Sequence, residues 1–309
     1  MSHDLAATFI LVSYNQEGTV EASARAVLAQ EGDPLQIILS DDCSTDQTYN
    51  ILQKLAAEYQ GPHEVTVRQN ARNLGVNEHV RHAIKEAQCD FLLWSAGDDV
   101  SLPQRARVTL DAYALHGSKL IYSDAQTRRP DGSPGTNAYR KALFYRDEFT
   151  VLEAATSFSL YLGAAVSWHK DLFYKYGGLP KERAHEDLIL GFRAILEGSL
   201  HYVPQELIIY QEDAGVGSEL SQSNGLLENR TRRQAVLKGK LTVLEQRLKD
   251  VDTFGISKDH PITSRIARMR DRMAMRLCYY EGGLGARAGH PLRLIHALGS
   301  EWLRDIRNR

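Results

Sequence analysis

Apolar and polar positions alternate in blocks through the first part of the chain. Thr8–Ser13, with the unbroken apolar centre Phe9-Ile10-Leu11-Val12, suits a strand buried on both faces. Val20, Ala24, Val27 and Leu28 follow at the i, i+4, i+7, i+8 spacing of an amphipathic helix. Gln36–Asp41 repeats the strand signal. After it, Ser44-Thr45-Asp46-Gln47 has the form of a capping box, and Tyr49, Leu52, Leu55, Ala56 and Tyr59 make one helical face. Glu64–Gln69 reads as a strand, Val76–Ala87 as a helix, and Asp90–Ser95, with its centre Phe91-Leu92-Leu93-Trp94, as a fourth strand. Pro103 is placed to open a helix whose core side is Leu102, Ala106, Leu110 and Tyr113, and Lys119–Ser123 reads as a fifth strand. Residues 124–150, with Pro130-Asp131-Gly132 and Pro134-Gly135, read as an excursion of turns. Mixed structure resumes over 151–210, and from residue 224 the pattern is helical. The expectation is an α/β fold, a mostly parallel sheet flanked by helices, with a domain over 1–223 and a helical region over 224–309.

In such sheets ligands lie at the carboxyl ends of the strands. Three ends carry polar residues: Ser13-Tyr14-Asn15, Asp41-Asp42 and Ala96-Gly97-Asp98-Asp99. Adjacent carboxylates repel, so Asp98 and Asp99 at a strand end suit a divalent cation, Mg2+ or Mn2+, or ligand hydroxyls that offset the repulsion. The competing reading is an acidic turn with Asp as helix cap. One of Asp41 and Asp42 suits a base edge or ribose, with helix capping as the alternative. Asn73-Leu74-Gly75 lies near the same edge, where Asn and Gly also serve simply as turn formers. His185-Glu186-Asp187 precedes an apolar helical run. A carboxylate there either complements the helix dipole or, held ionised by it, takes a proton from a hydroxyl. No Gly-x-Gly-x-x-Gly follows the first strand, which argues against a dinucleotide oxidoreductase.

Composition changes this picture little: 43% hydrophobic and 25% charged residues in 309 exclude a disordered or fibrous chain. Cys43, Cys89 and Cys278 are odd in number and widely spaced, so neither a disulfide framework nor a zinc site is expected, and a reducing, cytoplasmic setting is. The run Phe9-Ile10-Leu11-Val12 falls far short of the ~18 residues of a spanning helix. Charge is more informative. Residues 229–309 hold 18 Lys+Arg against 8 Asp+Glu, a net +10, and the preceding 228 residues hold 19 against 31, a net −12. The basic part is expected to face something anionic.

Taken in order, Val12-Ser13-Tyr14-Asn15, Asp41-Asp42-Cys43-Ser44-Thr45-Asp46, Asn73-Leu74-Gly75, Gly97-Asp98-Asp99, Gly177-Gly178-Leu179 and Glu186-Asp187 resemble the family 2 glycosyltransferases of the GT-A (nucleotide-diphospho-sugar transferase) fold. The resemblance covers roughly residues 7–212. It implies an inverting transferase that moves a sugar from a nucleoside-diphosphate donor, UDP favoured, to a glycan or lipid-linked acceptor in cell-surface polysaccharide or glycolipid assembly. It further implies that Asp42 reads the base with Ser13 and its neighbours, that Asp99 is the metal ligand with Asp98 nearer the sugar or ribose, that Asp187 is the general base, and that Glu186 supports the acceptor. Many relatives carry Arg, then His or Ser, after the last strand, whereas this chain reads Tyr210-Gln211-Glu212-Asp213-Ala214-Gly215-Val216-Gly217-Ser218. The alternatives are a nucleotidyltransferase, which usually shows a Gly-rich basic loop after the first strand, and a non-catalytic nucleotide-sugar-binding protein.

In the tail, Leu237, Leu241, Leu244 and Leu248 form one apolar face and Ile262, Ile266, Met269, Met273 and Leu277 another, beside Arg265, Arg268, Arg272 and Arg276. Leu292, Ile295, Trp302, Leu303 and Ile306 suggest a third helix. The basic face suits an anionic membrane surface, a phosphate-bearing acceptor, a homo-oligomer contact or plain solvent. Nucleic acid is not expected, because stacking aromatics are not interleaved with the basic residues.

Overall fold

The computed structural model describes residues 5–182, 184–212 and 226–281. Strands β1 (Thr8–Ser13), β2 (Gln36–Asp41), β3 (Glu64–Gln69) and β4 (Phe91–Ala96) are parallel neighbours, joined by helices α1 (Val20–Leu28), α2 (Thr48–Glu58) and α3 (Val76–Glu86). The apolar runs are explained by burial on both faces. Phe9, Leu11, Ile37, Leu39 and Leu93 meet Val20, Val27 and Leu52 on one side, and Ile10, Ile38 and Leu92 meet Val80 and Ile84 on the other.

Two short elements follow, β5 (Val100–Ser101) and α4 (Arg105–His116), and then β6 (Leu120–Arg128). Helix α4 starts two residues after Pro103, whose carbonyl accepts instead from the Glu31 N–H, while the Leu102 N–H is taken by Leu207 O. Strand β6 runs five residues beyond Ser123, into the segment expected to be turns. Its register shifts at Asp124 hide it from a period-two pattern. Beyond it, Ala138–Lys141 and Leu143–Tyr145 are single 3-10 turns and α5 is the short Val151–Ala154. Next come β7 (Val166–His169), α6 (Asp171–Tyr174), α7 (Glu186–Leu196) and β8 (Leu200–Gln211). The sheet order is β3-β2-β1-β4-β7-β6-β8-β5. Strand β7 runs antiparallel to β4 and β6, β5 antiparallel to β8, and the remaining pairs are parallel.

Helices α8 (Leu226–Phe254) and α9 (Pro261–Glu281) bury Leu237, Val243, Leu244 and Val251, and Ile266, Met273, Leu277 and Tyr280, in the same core as Ile10 and α7. Leu241, Leu248, Ile262 and Met269 flank that core half-buried, as the heptad-like spacing predicts. The third helix expected over Leu292–Ile306 lies outside the described residues. Among the described residues no helix is long and apolar enough to cross a membrane.

Helix α8 is fastened by ionic as well as apolar contacts. Arg193 of α7 meets Asp250 of α8 in a fork, Nε to Oδ2 at 3.0 Å and Nη2 to Oδ1 at 3.1 Å, with both side chains buried. Breaking such a pair strands a charge. Asp250→Asn is therefore expected to cost about 3–5 kcal/mol of stability, while replacing both partners by apolar residues of similar volume recovers most of it. Urea unfolding of the single and double variants measures the difference.

Candidate functional site

The three polar strand ends stand side by side. Ser13 is in register with Asp41 and Val12 with Ala96. The Asp42 N–H donates to Ser13 O, and the Gly97 N–H to Val12 O, both at 2.9 Å. The two loops above β1 and β2 are laced together: Asn15, in the left-handed region at φ 50°, donates its N–H to Ser44 Oγ at 2.8 Å and accepts the Thr45 N–H on Oδ1 at 2.9 Å. Ser44 does not cap α2 as the capping-box reading has it. Its hydroxyl donates to Asp41 Oδ1, and Asp46 Oδ1 instead accepts the Thr48 N–H. Asn15 thus holds backbone, Ser13 is buried, and Tyr14, 44% exposed, is the free ring at this rim.

Asp41 and Asp42 are both buried, and both are engaged. Asp41 takes the Ser44 N–H, the Ser44 hydroxyl and Gln69 Nε2. Asp42 takes Asn70 Nδ2 (2.6 Å) and the Leu74 N–H (2.9 Å) on Oδ1, and the Gly75 N–H (2.8 Å) on Oδ2. An ionised carboxylate offers about four lone-pair sites, so Asp42 retains one acceptor position, on Oδ2. The Asn73-Leu74-Gly75 turn is therefore the clamp on Asp42. Gly75, at φ 77°, makes the bend that turns both N–H groups toward it.

At the end of β4, Asp99 is 4% exposed and Asp98 half-buried. Burial and then the neighbouring Asp98 push Asp99 up to about 8, against the opposing charge of Arg105 and an N–H donated by Gln211 at the end of β8. Asp98 is raised by burial, with a hydrogen bond from Gln16 opposing. Gly97 leaves room for this: a Cβ there would lie 2.5 Å from Gln16 Oε1. Two adjacent, desolvated oxygen donors suit a hard divalent cation. Among the described residues no group of three His, Cys, Asp or Glu is placed to hold a metal. The residues present would hold Mg2+ or Mn2+ only through one or two carboxylates, the kind of site in which substrate phosphate supplies further ligands.

Arg105, absent from the sequence-based candidates, joins this corner to the next. Fully buried, it donates to Ser101 Oγ (3.0 Å) and to the carbonyls of Trp94 (2.7 Å), Ala164 (3.2 Å) and Val166 (3.1 Å). Ala164 follows Gly163, and Gly163 backs onto Asp187: a Cβ at 163 would sit 3.2 Å from Asp187 Cβ. Asp187 and Glu186 open α7 from half-buried positions. Burial raises Asp187, opposed by His185, the Leu188 N–H and Arg247, and burial with Asp187 pushes Glu186 up to about 7. Burial thus shifts both carboxyls upward, opposite to the downward shift that the helix dipole alone would give. The buried Tyr161 hydroxyl, raised by burial and by Asp187, has no hydrogen-bond partner among the described residues. The approach to α7 is fixed by the Gly177-Gly178 turn, at φ 73° and 89°, whose Gly178 and Leu179 carbonyls accept from Arg193 and Arg81. Gln211 and Glu212 are in place at the end of β8, and residues 213–218 of the altered loop lie outside the described residues.

Among curated proteins, the chain is 33% identical over 96 residues to the putative glycosyltransferase EpsE of Bacillus subtilis and 22% identical over 126 residues to the dTDP-rhamnosyl transferase RfbG of Shigella flexneri. These alignments cover 31% and 40% of this chain but only 34% and 43% of those proteins. Its fold is similar to S. aureus TarS in complex with UDP-GlcNAc, with a TM-score of 0.56 at 16% identity over 97% of this chain and 88% of that one. It is also similar to the mannosyltransferase PcManGT of Pyrobaculum calidifontis in complex with GDP-Man and Mn2+, at 0.54 and 14% over 98% and 84%. Both are likenesses of fold. The sequence pattern described as Glycosyl transferase family 2 matches residues 8–173, from the first residue of β1 into α6 and across every strand end that carries the aspartates. By that match over more than half its length, the chain belongs to glycosyl transferase family 2.

Proposed function

We propose that this chain transfers a sugar from a nucleoside-diphosphate donor, UDP favoured, to an acceptor hydroxyl with inversion at the anomeric carbon. The observation that carries the reading is the shared rim. A desolvated Asp98-Asp99 pair at the end of β4 is tied through Arg105 to the turn that touches Asp187. Tyr14 offers an exposed ring and Asp42 one free Oδ2 acceptor position to a base. Asp99, with Asp98 nearer the sugar or ribose, would hold Mg2+ or Mn2+, which when bound offsets charge on the departing diphosphate. Asp187 accepts the acceptor's hydroxyl proton. The freed oxygen lone pair forms the new bond to the anomeric carbon as the old carbon–oxygen bond breaks, and its electrons leave with the nucleoside diphosphate. Glu186, whose carboxyl is pushed up to about 7 by burial and the neighbouring Asp187, orients the acceptor. Donor complexes of the structural neighbours, UDP-GlcNAc in one and GDP-Man in the other, support the donor class and leave the base to experiment.

The acceptor side favours a glycan or lipid-linked substrate in surface polysaccharide or glycolipid assembly, handled in the cytoplasm at the inner membrane face. Arg265, Arg268 and Arg272 lie exposed along α9, and Arg265 reaches Thr156 Oγ1 at 3.4 Å, just before the segment leading to Gly163. An oligomer contact through α8 and α9 is the competing use of that face, and cosedimentation with anionic liposomes against sedimentation velocity separates the two. Thermal-shift screening against nucleotide sugars with and without Mn2+, followed by product assay on the hits, tests the function itself. Manganese-dependent stabilisation with release of nucleoside diphosphate is expected. Release of pyrophosphate would mark a nucleotidyltransferase, and binding without turnover a non-catalytic binding protein.

A further inference from the structure

We propose that Arg247, on the C-terminal helix α8, is a positioning residue for Asp187, gripping the two backbone segments that flank it and presenting a buried cation to its carboxylate. The inference rests on Asp187 being the base. Arg247 is 0% exposed. Its Nη2 donates to Leu188 O at 3.0 Å, in the first turn of α7 and one residue from Asp187. Its Nη1 donates to Ser157 O at 2.8 Å and Ala155 O at 3.2 Å, at the start of the segment that runs through Tyr161 to Gly163 on the other side of Asp187. One planar fork thus sets both walls of the general-base position, the geometry for which a guanidinium is suited and an ammonium is not.

The charge has a direction as well. Among the described residues no carboxylate lies within ion-pair distance of Arg247, and its Nε is buried without a hydrogen-bond acceptor. Asp250, one turn further along α8, already gives both oxygens to Arg193. The charge of Arg247 acts on both Asp187 and Asp250, and among the described residues Asp187, unlike Asp250, has no ion pair of its own. The other groups facing Asp187 are Glu186 on its own helix, His185 at the helix start, and the uncharged Tyr161 from the Gly163 segment. Together with His185 and the Leu188 N–H, Arg247, the buried cation among them, offsets the desolvation that raises Asp187. The helical region thereby completes the acceptor half of the site.

The test is kcat/KM against pH, with donor affinity and thermal melts, for Arg247→Gln, Arg247→Lys, Leu244→Ala and Asp187→Asn. Arg247→Gln should move the acid limb upward by about one unit or more, with donor affinity unchanged. Arg247→Lys keeps the charge but not the fork. Its limb should stay in place while kcat falls about tenfold from misplacement of the base. Leu244→Ala, which loosens α8 without touching the charge, should lower the melting temperature and leave the limb where it was. A folded Arg247→Gln with an unmoved limb, beside an inactive Asp187→Asn, overturns the proposal alone. If Arg247→Gln does not fold, wild-type kcat in Arg247→Lys overturns it equally. Turnover surviving in Asp187→Asn overturns the reading beneath it instead.

Discussion

Asp187→Asn is expected to reduce turnover by about 10²–10⁴-fold, the usual worth of general-base assistance, while donor affinity stays at the wild-type value. The change is nearly isosteric, so the contact with Gly163 and the α7 helix start remain and only proton acceptance is lost. Calorimetric donor titration and steady-state rates separate the two quantities. An equal loss in both would make Asp187 a donor ligand. The pH profile carries an independent sign. A base works only when deprotonated, and burial holds the Asp187 pKa above the ordinary carboxylate range, with Glu186 beside it at about 7. Activity should therefore begin to fall on acidification before the ordinary carboxylate range is reached. A rate that stays flat down into the ordinary carboxylate range would contradict the assignment.

Asp99→Asn is expected to abolish the manganese dependence of donor binding, lowering affinity in the presence of Mn2+ by about 10–100-fold or more, since even indirect disturbance of metal ligands costs that much. The same variant should be more resistant to heat than the wild type in metal-free buffer. The folded state raises Asp99 to about 8, mainly through burial, so the ionised form is disfavoured in the native protein. For a carboxylate raised on folding, this destabilisation is absent below the unfolded value and grows as pH climbs toward 8. Removing the charge removes that loss. Stability gained and function lost together are what a desolvated binding carboxylate produces. Melting curves at pH 6 and pH 8 in chelator check the trend, and a variant less stable than wild type at both would argue for a structural aspartate.

Much of the sheet is legible in the chain because its parallel strands are buried on both faces and read as unbroken apolar runs. Three of its features are not. Strand β6 continues through Asp124, Gln126 and Thr127 although irregular pairing breaks the period-two pattern there, and its polar residues can be buried because Tyr139 and Arg140 satisfy Asp124 and Asn137 satisfies Thr127. Strand β7 is four residues long, too short for periodicity to show. Ser44 pairs with Asp41 because a tertiary clamp competes successfully with local capping. Within the site, the aspartates stand out as charge where the strand pattern ends. Arg105 and Arg247 do not, although each betrays itself once the helix phase is known. Arg105 precedes buried Ala106 and shares the inward face with Thr109, and Arg247 sits between Leu244 and Val251 on the core side of α8. An arginine in an apolar phase is the signal that an ionic anchor lies beneath.

The account stands on donor and acceptor chemistry meeting at one sheet edge. Anomalous scattering at the manganese edge, from crystals grown with Mn2+ and UDP, tests this directly. A manganese peak bonded to Asp99 and to the diphosphate, with the nucleotide on the side of the rim that Asp187 faces, is the result predicted. A nucleotide bound elsewhere, or a metal that leaves Asp98 and Asp99 untouched, would contradict it.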